Sequence, residues 1–284
     1  MMKERGVMVV DLILIFVCPP PSSNRDMTVL RCLLHPIPSS FGKPLLTLTS
    51  SRSSLQSRIN IALSSSCSSF SSNVSTHSSP FLSEIHDVLK GYLFGQKKVT
   101  EVAHLVWKLV VQKGDTVVDA TCGNGNDTLA LVKLVIDDSF KGCVYGMDVQ
   151  EDAIKNTSCL LDQSLDPGQR ECVKLFSVCH SKMANVLPTN VRLVAFNLGY
   201  LPGGDKGIIT QSATTLLALE AAKELLLPGG VISIVAYVGH PGGREEYDIV
   251  QRFASKLPAE RWACSHIEML NKPMAPVLIL LFKR

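Results

Sequence analysis

The chain has 284 residues, 46% of them hydrophobic and 6% aromatic, with a formal net charge of +3. That suffices for one sizeable core, and the near-neutral balance excludes a strongly basic nucleic-acid protein. The nine Cys are scattered without a C-x-x-C pair, which speaks against a zinc site or a disulfide framework and fits a reducing compartment.

The charge is uneven. Seven of the 28 Lys and Arg but only three of the 25 acids precede Pro80, leaving 21 basic against 22 acidic residues beyond it. The apolar run "VMVVDLILIFVC" near the start is short for a membrane span and contains Asp11. From Pro38 to Pro80 the chain is rich in Ser and Thr, with sparse Arg and no acids. Such a stretch buries little and has the make-up of an organelle transit peptide, the alternative being an ordinary disordered tail. We expect residues 1–80 to be this transit and disordered region. Met27 is the expected working start, and residues 1–26 an upstream extension. Because Ser outnumbers Arg, chloroplast is the first expectation and mitochondrion the second.

Residues 81–284 are expected to form one α/β domain. Ser83 is a candidate N-cap for residues 84–112, which carry apolar residues at helical spacing; Gly91 and Gly95 should break them into two helices. "DTVVDA" is then a short strand, "NDTLALVKLVI" a helix, "GCVYGMDV" a strand and "QEDAIKNTSCLLDQ" a helix. "ECVKLFSV" and "VRLVAFN" are strands. "ATTLLALEAAKELL" is a helix ended by Pro-Gly-Gly. "GVISIVAYV" is a strand, "REEYDIVQRFASKL" a helix, and "ACSHIEML" and "PVLILLF" the closing strands. Alternation of this kind predicts a mostly parallel sheet covered on both faces, with right-handed crossovers. The last two strands are joined only by "NKPMA", so they should pair antiparallel. This layout resembles the class I S-adenosylmethionine (SAM) methyltransferases, a Rossmann-like fold, and implies strand order 3-2-1-4-5-7-6.

The first strand exits through "VVDATCGNGNDTLAL". Asp119 ends the strand, Gly123 and Gly125 allow a tight turn and close approach to a ligand, and Asp127 and Thr128 begin the next helix. A dinucleotide fingerprint would need Gly at position 128. Asp148 ends the second strand, where a carboxylate can accept both ribose hydroxyls of a nucleoside; it can also cap the helix from Gln150. His180, after the third strand, either holds an adenine edge or is a plain loop histidine. With SAM as the cofactor, which the methyltransferase resemblance implies, that resemblance and the turn residues together give an expected site of Asp119, Cys122, Gly123, Asn124, Gly125, Asp127, Thr128, Asp148, Val149, Gln150, His180, Asn197 and Leu198. Cys122 and Cys179 read as small packing residues.

Strands four and five end in "FNLGYLPGGDKG" and "AYVGHPGGREE". Both loops should face the crevice where the strand order reverses. Asn197-Leu198-Gly199-Tyr200 has the ends of the Asn-Pro-Pro-Tyr run of amino-directed methyltransferases, without the prolines. There the Asn accepts hydrogen bonds from the target nitrogen and the aromatic ring stacks on a base. Transfer to nitrogen needs a neutral amine, so a proton acceptor helps; Asp205 and His240 are the candidates, each with an ordinary loop role as the alternative.

Together, "DATCGNGNDTLAL", "FNLGYLPGGDK", "TTLLALEAA" and "YVGHPGGREE" resemble a family long labelled rRNA methylases. Its bacterial members act as tRNA wobble-uridine methyltransferases on 5-aminomethyl-2-thiouridine. The resemblance runs from about Ile85 to the C-terminus. It implies transfer from SAM to the exocyclic amine, with Asn197, Tyr200, Asp205 and His240 as catalytic candidates. It implies a substrate site of Tyr200, Pro202, Gly203, Gly204, Asp205, His240, Pro241, Gly242 and Gly243. It also implies tRNA as partner; from the cysteine spacing and the short apolar run, no metal and no membrane are expected. Where bacterial members carry Asp-Ser-His, this chain has Val178-Cys179-His180, so His180 is the matching residue. RNA affinity would need a local basic patch, with Lys97, Lys98, Lys206 and Arg244 as contributors, or a homodimer. The alternatives are rRNA or another amine as substrate, a non-catalytic SAM-fold partner, and a nicotinamide oxidoreductase, against which Thr128 speaks.

Overall fold

The computed structural model describes residues 80–137, 141–205 and 207–284. The transit-peptide reading, Met27 and Lys206 lie outside the described residues.

Two helices come first, α1 (Pro80–Leu93) and α2 (Val99–Val110). Pro80 opens α1, where its missing N–H costs no helical bond. Ser83, expected as the cap, lies in the first turn instead and its hydroxyl donates to Pro80 O. Only one of the two expected breaks occurs. Gly95, at φ +73°, ends the segment, whereas Gly91 stays inside α1; a Cβ there would sit 2.4 Å from Lys97 Cγ. Gly91 is thus a seat for the Lys97 stem.

The alternating part follows as β1 (Thr116–Asp119), α3 (Asn126–Val135), β2 (Cys143–Asp148) and α4 (Glu151–Ser164). Then come a short α5 (Pro167–Glu171), β3 (Val173–Ser177), a 3₁₀ turn (His180–Asn185), β4 (Val191–Leu198) and α6 (Ser212–Leu225). The last elements are β5 (Leu226–Ala236), α7 (Gly243–Ser255), β6 (Trp262–Ile267) and β7 (Val277–Lys283). Sequence did not flag α5 or the 3₁₀ turn. The helix over 212–225 is not ended by Pro-Gly-Gly. Strand β5 starts at once at Leu226, opposite Val191, and the next paired positions are Leu193 and Val231. Residues 227–230 therefore form a bulge, which suits a Pro that cannot donate and a Gly230 whose Cβ would lie 2.7 Å from Arg192 O.

The sheet has seven strands in the order β3-β2-β1-β4-β5-β7-β6, as expected. β5–β7 and β7–β6 pair antiparallel and the remaining pairs are parallel. Side chains alternate across it. Val118, Met147, Phe196, Ile232 and Ile279 join Leu219 of α6 and Val250 of α7 on one face. Val117, Val144, Leu193, Val231 and Leu278 meet Trp107 of α2, Leu131 of α3 and Leu161 of α4 on the other. Each such buried aliphatic contributes about 1.5–3 kcal/mol. These two layers fix the carboxyl ends of β1 and β4 side by side, with β2 and β3 on one flank and β5 on the other. That is the switch point where this architecture opens a crevice. Among the described residues, no helix is long and apolar enough to cross a membrane.

Candidate functional site

A cavity of about 980 Å³ opens at this switch point, within the size range of ligand pockets. Its cofactor-type wall is made by the turns after β1 and β2. Asp119 is buried beneath it. Thr128 Oγ1 donates to Asp119 Oδ2 at 2.6 Å and the Thr121 N–H to Oδ1 at 3.3 Å. Burial, then the nearby Asp127 charge, raises the Asp119 carboxyl above its usual range. Asp119 and Thr128 thus brace the turn from below, and Leu198 is likewise buried in the core.

Asp148 joins the two turns. Its Oδ2 accepts from Gly123 N at 3.1 Å and its Oδ1 from Gln150 N at 3.0 Å. Both the helix-cap reading and a place on the cavity wall hold, and each oxygen keeps a further lone pair. Gly123 (φ +50°), Cys122, Asn124, Val149 and Gln150 line the same wall. Burial pushes the Cys122 thiol well up, which suits packing and not a thiolate. Gly125, at φ +84°, does not line the cavity. A Cβ there would lie 2.9 Å from Thr157 Cα, so this glycine serves close contact of the turn with α4.

His180 opens the 3₁₀ turn after β3, buried, with its ring edge-on to Phe196 at 5.8 Å. Burial lowers it to about 4, although a hydrogen bond to the Ala120 backbone works the other way. The ring is therefore neutral near pH 7. Among the described residues its buried Nε2 has no partner. With the other nitrogen on the Ala120 carbonyl, Nε2 carries a lone pair facing no protein donor.

The opposite wall comes from the loops after β4 and β5. Asn197 N donates to Thr121 Oγ1 at 2.7 Å, and Asn197 Nδ2 donates to Asp127 Oδ2 at 3.1 Å. His104 Nε2 lies 2.7 Å from Asp127 Oδ1. Asp127, expected beside the cofactor, is on the wall but spends both oxygens on α2 and β4. Thr210 N donates to Gly199 O at 2.9 Å, closing the Gly199–Thr210 loop, and Asn124 Nδ2 donates to Pro202 O at 3.0 Å. Tyr200, Pro202 and Gly203 reach the cavity; Gly204, Asp205, Pro241, Gly242 and Gly243 do not. Asp205 Oδ1 accepts from Gly207 N at 2.7 Å, the turn-cap geometry.

His240 meets Tyr200 edge-on, ring centres 6.1 Å apart and planes at 78°. His240 Nδ1 sits 2.9 Å from Pro241 O, a contact that puts its proton on Nδ1. Nε2 is then an acceptor, buried and without a partner among the described residues. Behind the loops Glu246, in the first turn of α7, accepts from Thr210 Oγ1 at 2.7 Å and from Thr215 Oγ1. Burial raises its carboxyl above the usual range despite both hydroxyls. Sequence reasoning missed His104, Thr121, Thr210, Tyr237 and Glu246. Thr121 stood in the quoted first turn, and Tyr237 and Glu246 in the second Pro-Gly-Gly segment, without being singled out; His104 and Thr210 had no local signal.

Among the described residues no cluster of His, Cys, Asp and Glu could hold a metal. Of the basic candidates, Lys98 lines the cavity, Lys97 pairs with Glu101 at 2.6 Å, and Arg244 pairs with Asp248 at 3.5 Å.

A family model described as "Putative rRNA methylase" matches residues 144–283. The chain is 59% identical to the chloroplastic tRNA (mnm5s2U34)-methyltransferase of Arabidopsis thaliana, over 77% of this chain and 82% of that protein. A solved protein of Clostridium thermocellum, described in the same words as the family, is 38% identical with TM-score 0.62, over 66% of this chain and 98% of that one. A "putative methyltransferase" of Streptococcus mutans, solved with SAH, is 33% identical with TM-score 0.58, over 66% and 99%. With this likeness, its strand order and its switch-point cavity, the chain belongs to the rRNA-methylase family of class I SAM-dependent methyltransferases.

Proposed function

We propose that the protein is a chloroplast SAM-dependent N-methyltransferase that converts 5-aminomethyl-(2-thio)uridine at the tRNA wobble position to its methylaminomethyl form. The compartment and the substrate follow the Arabidopsis relative, whose name gives both. The Ser-rich composition before Pro80 supports the same compartment, with residues 1–80 as the transit region and 81–284 as the catalytic domain.

The observation that carries the reading is the meeting of the two Pro-Gly-Gly loops. They bring an exposed aromatic ring, Tyr200, against an unpartnered acceptor, His240 Nε2, beside Asn197. A planar base with a short amine arm matches that set. Tyr200 stacks on the base. The Asn197 amide, its Nδ2 drawn to Asp127, keeps Oδ1 for an N–H of the amine. His240 Nε2 takes the ammonium proton, so that the nitrogen presents a lone pair. Asp205 is assigned to its turn and does not act as the base.

The residues of the other wall fit SAM. His180 Nε2 is a buried acceptor that suits the exocyclic amine of adenine, and the free lone pairs of Asp148 suit the ribose hydroxyls. When bound, SAM supplies an electrophilic methyl group on a sulfonium; the chain supplies alignment and exclusion of water.

The test is nucleoside mass spectrometry of total tRNA from a strain lacking the final methylation, after incubation with the protein and SAM. One methyl should be gained on 5-aminomethyl-(2-thio)uridine. Product confined to added rRNA, or absent altogether, overturns the reading. Tyr200→Ala should abolish turnover and leave cofactor binding intact.

A further inference from the structure

Next to the cavity-lining residues Lys98 and His240, two loops expose apolar side chains that a water-facing surface seldom groups. The α1–α2 loop carries Phe94, 71% exposed, and the β6–β7 loop carries Leu270 and Met274, 89% and 65% exposed. The loops adjoin one another. A Cβ on Gly95 would stand 3.5 Å from Lys272 Nζ, and one on Gly239 would stand 3.0 Å from Met274 O. Gly239 leads directly into His240, and Lys98, next in the α1–α2 loop, lines the cavity itself. The rim is therefore continuous with the acceptor wall.

The rim carries three lysines, Lys97, Lys98 and Lys272. Lys97 is held by Glu101. Lys98 and Lys272 form no ion pair among the described residues. An exposed ring and soft apolar side chains beside free ammonium groups are what unstacked nucleotides need: a face to stack on and cations for the phosphates. The near-neutral folded part has to draw its RNA affinity from such a local patch.

We infer that the rim formed by Phe94, Met274, Lys98 and Lys272 is a single-stranded RNA platform that holds the nucleotides flanking the target uridine. This rests on the tRNA reading above and extends it. Bases beside the target lie on Phe94 and Met274, and their phosphates meet Lys272 and Lys98. The base to be modified is thereby splayed toward Tyr200.

Binding of a fluorescein-labelled anticodon stem-loop to the full protein, read by anisotropy, tests the rim apart from turnover. Phe94→Ala/Met274→Ala should weaken binding about tenfold. Lys272→Ala should reduce the slope of log K against log salt by about one. Dissociation constants for S-adenosylhomocysteine and thermal midpoints should not change, since these side chains are exposed. Unchanged RNA affinity in the double variant overturns the rim, as does no binding by wild type. So does a variant that changes only the oligomer mass in light scattering, which would make the patch a contact between copies. RNA binding that depends on the rim without any methyl transfer would leave the platform standing and remove the proposed reaction instead.

Discussion

Asp127 holds Asn197: the carboxylate Oδ2 accepts the side-chain Nδ2 at 3.1 Å, while His104 engages the other oxygen at 2.7 Å. An amide has two ends of opposite polarity. Drawing Nδ2 toward a carboxylate leaves the carbonyl end for the substrate. Asp127→Ala removes the anchor and frees the amide to rotate. We expect kcat to fall about 10²-fold, with cofactor affinity within about threefold of wild type, measured by single-turnover kinetics and calorimetry. An equal loss in cofactor binding would return Asp127 to the cofactor wall.

Glu246 performs a similar task for the loops. It binds Thr210, at the end of the first Pro-Gly-Gly loop, and Thr215 of α6, from a helix that starts in the second loop. Glu246→Ala strands two hydroxyls, one fully buried. A loss of about 2–3 kcal/mol is expected in denaturant unfolding. Glu246→Gln, which keeps the shape and a carbonyl acceptor, should lose less than half of that.

His180 gives the acid limb a definite sign. Its folded value of about 4 lies below the ordinary 6.5, so the unfolded chain binds the extra proton between those values. Its contribution to stability is complete above about pH 6.5 and declines as pH falls toward 4. Asp119 and Glu246 act oppositely: their raised carboxyls favour the folded state at low pH, a gain lost as pH rises through their folded values. The comparison is therefore between wild type and His180→Asn. From pH 7.5 to pH 5 the wild type should lose more stability, by about 1–2 kcal/mol. Parallel thermal-melt curves for the two proteins would contradict the burial of a neutral ring.

Gly125 is a backbone prediction. Alanine would have to adopt φ +84° with its Cβ 2.9 Å from Thr157 Cα. Gly125→Ala should cost at least about 2 kcal/mol, read as a lower chemical-denaturation midpoint. Alanine at Gly203, also at positive φ but with nothing within 4 Å, should cost about 1 kcal/mol.

Most of the architecture was legible because both periods are strong. The β-branched run at 116–119, the apolar run at 191–198 and the helical spacing of 99–110 are each backed by a buried face. The bulge at 227–230 was not, because Pro-Gly-Gly reads locally as a stop and only pairing to β4 keeps it in the strand. At the site, the glycines, Asp148, His180 and Asn197 stood in recognisable turns. His104 did not, since it lies on an amphipathic helix, and Tyr237, at the head of the second loop, read as the end of an apolar strand. Their approach to the cavity is set by packing of distant segments, which spacing along the chain does not record.

The central claim is that the cofactor lies against the β1 and β2 turns while the two glycine-rich loops close on the acceptor amine. A crystal structure of the protein with S-adenosylhomocysteine tests it most directly. The adenine amine should lie within hydrogen-bond distance of His180 Nε2, the ribose hydroxyls on Asp148, and the sulfur toward Asn197 and Tyr200. Adenine turned away from His180, or a sulfur facing away from the β4 loop, would contradict it.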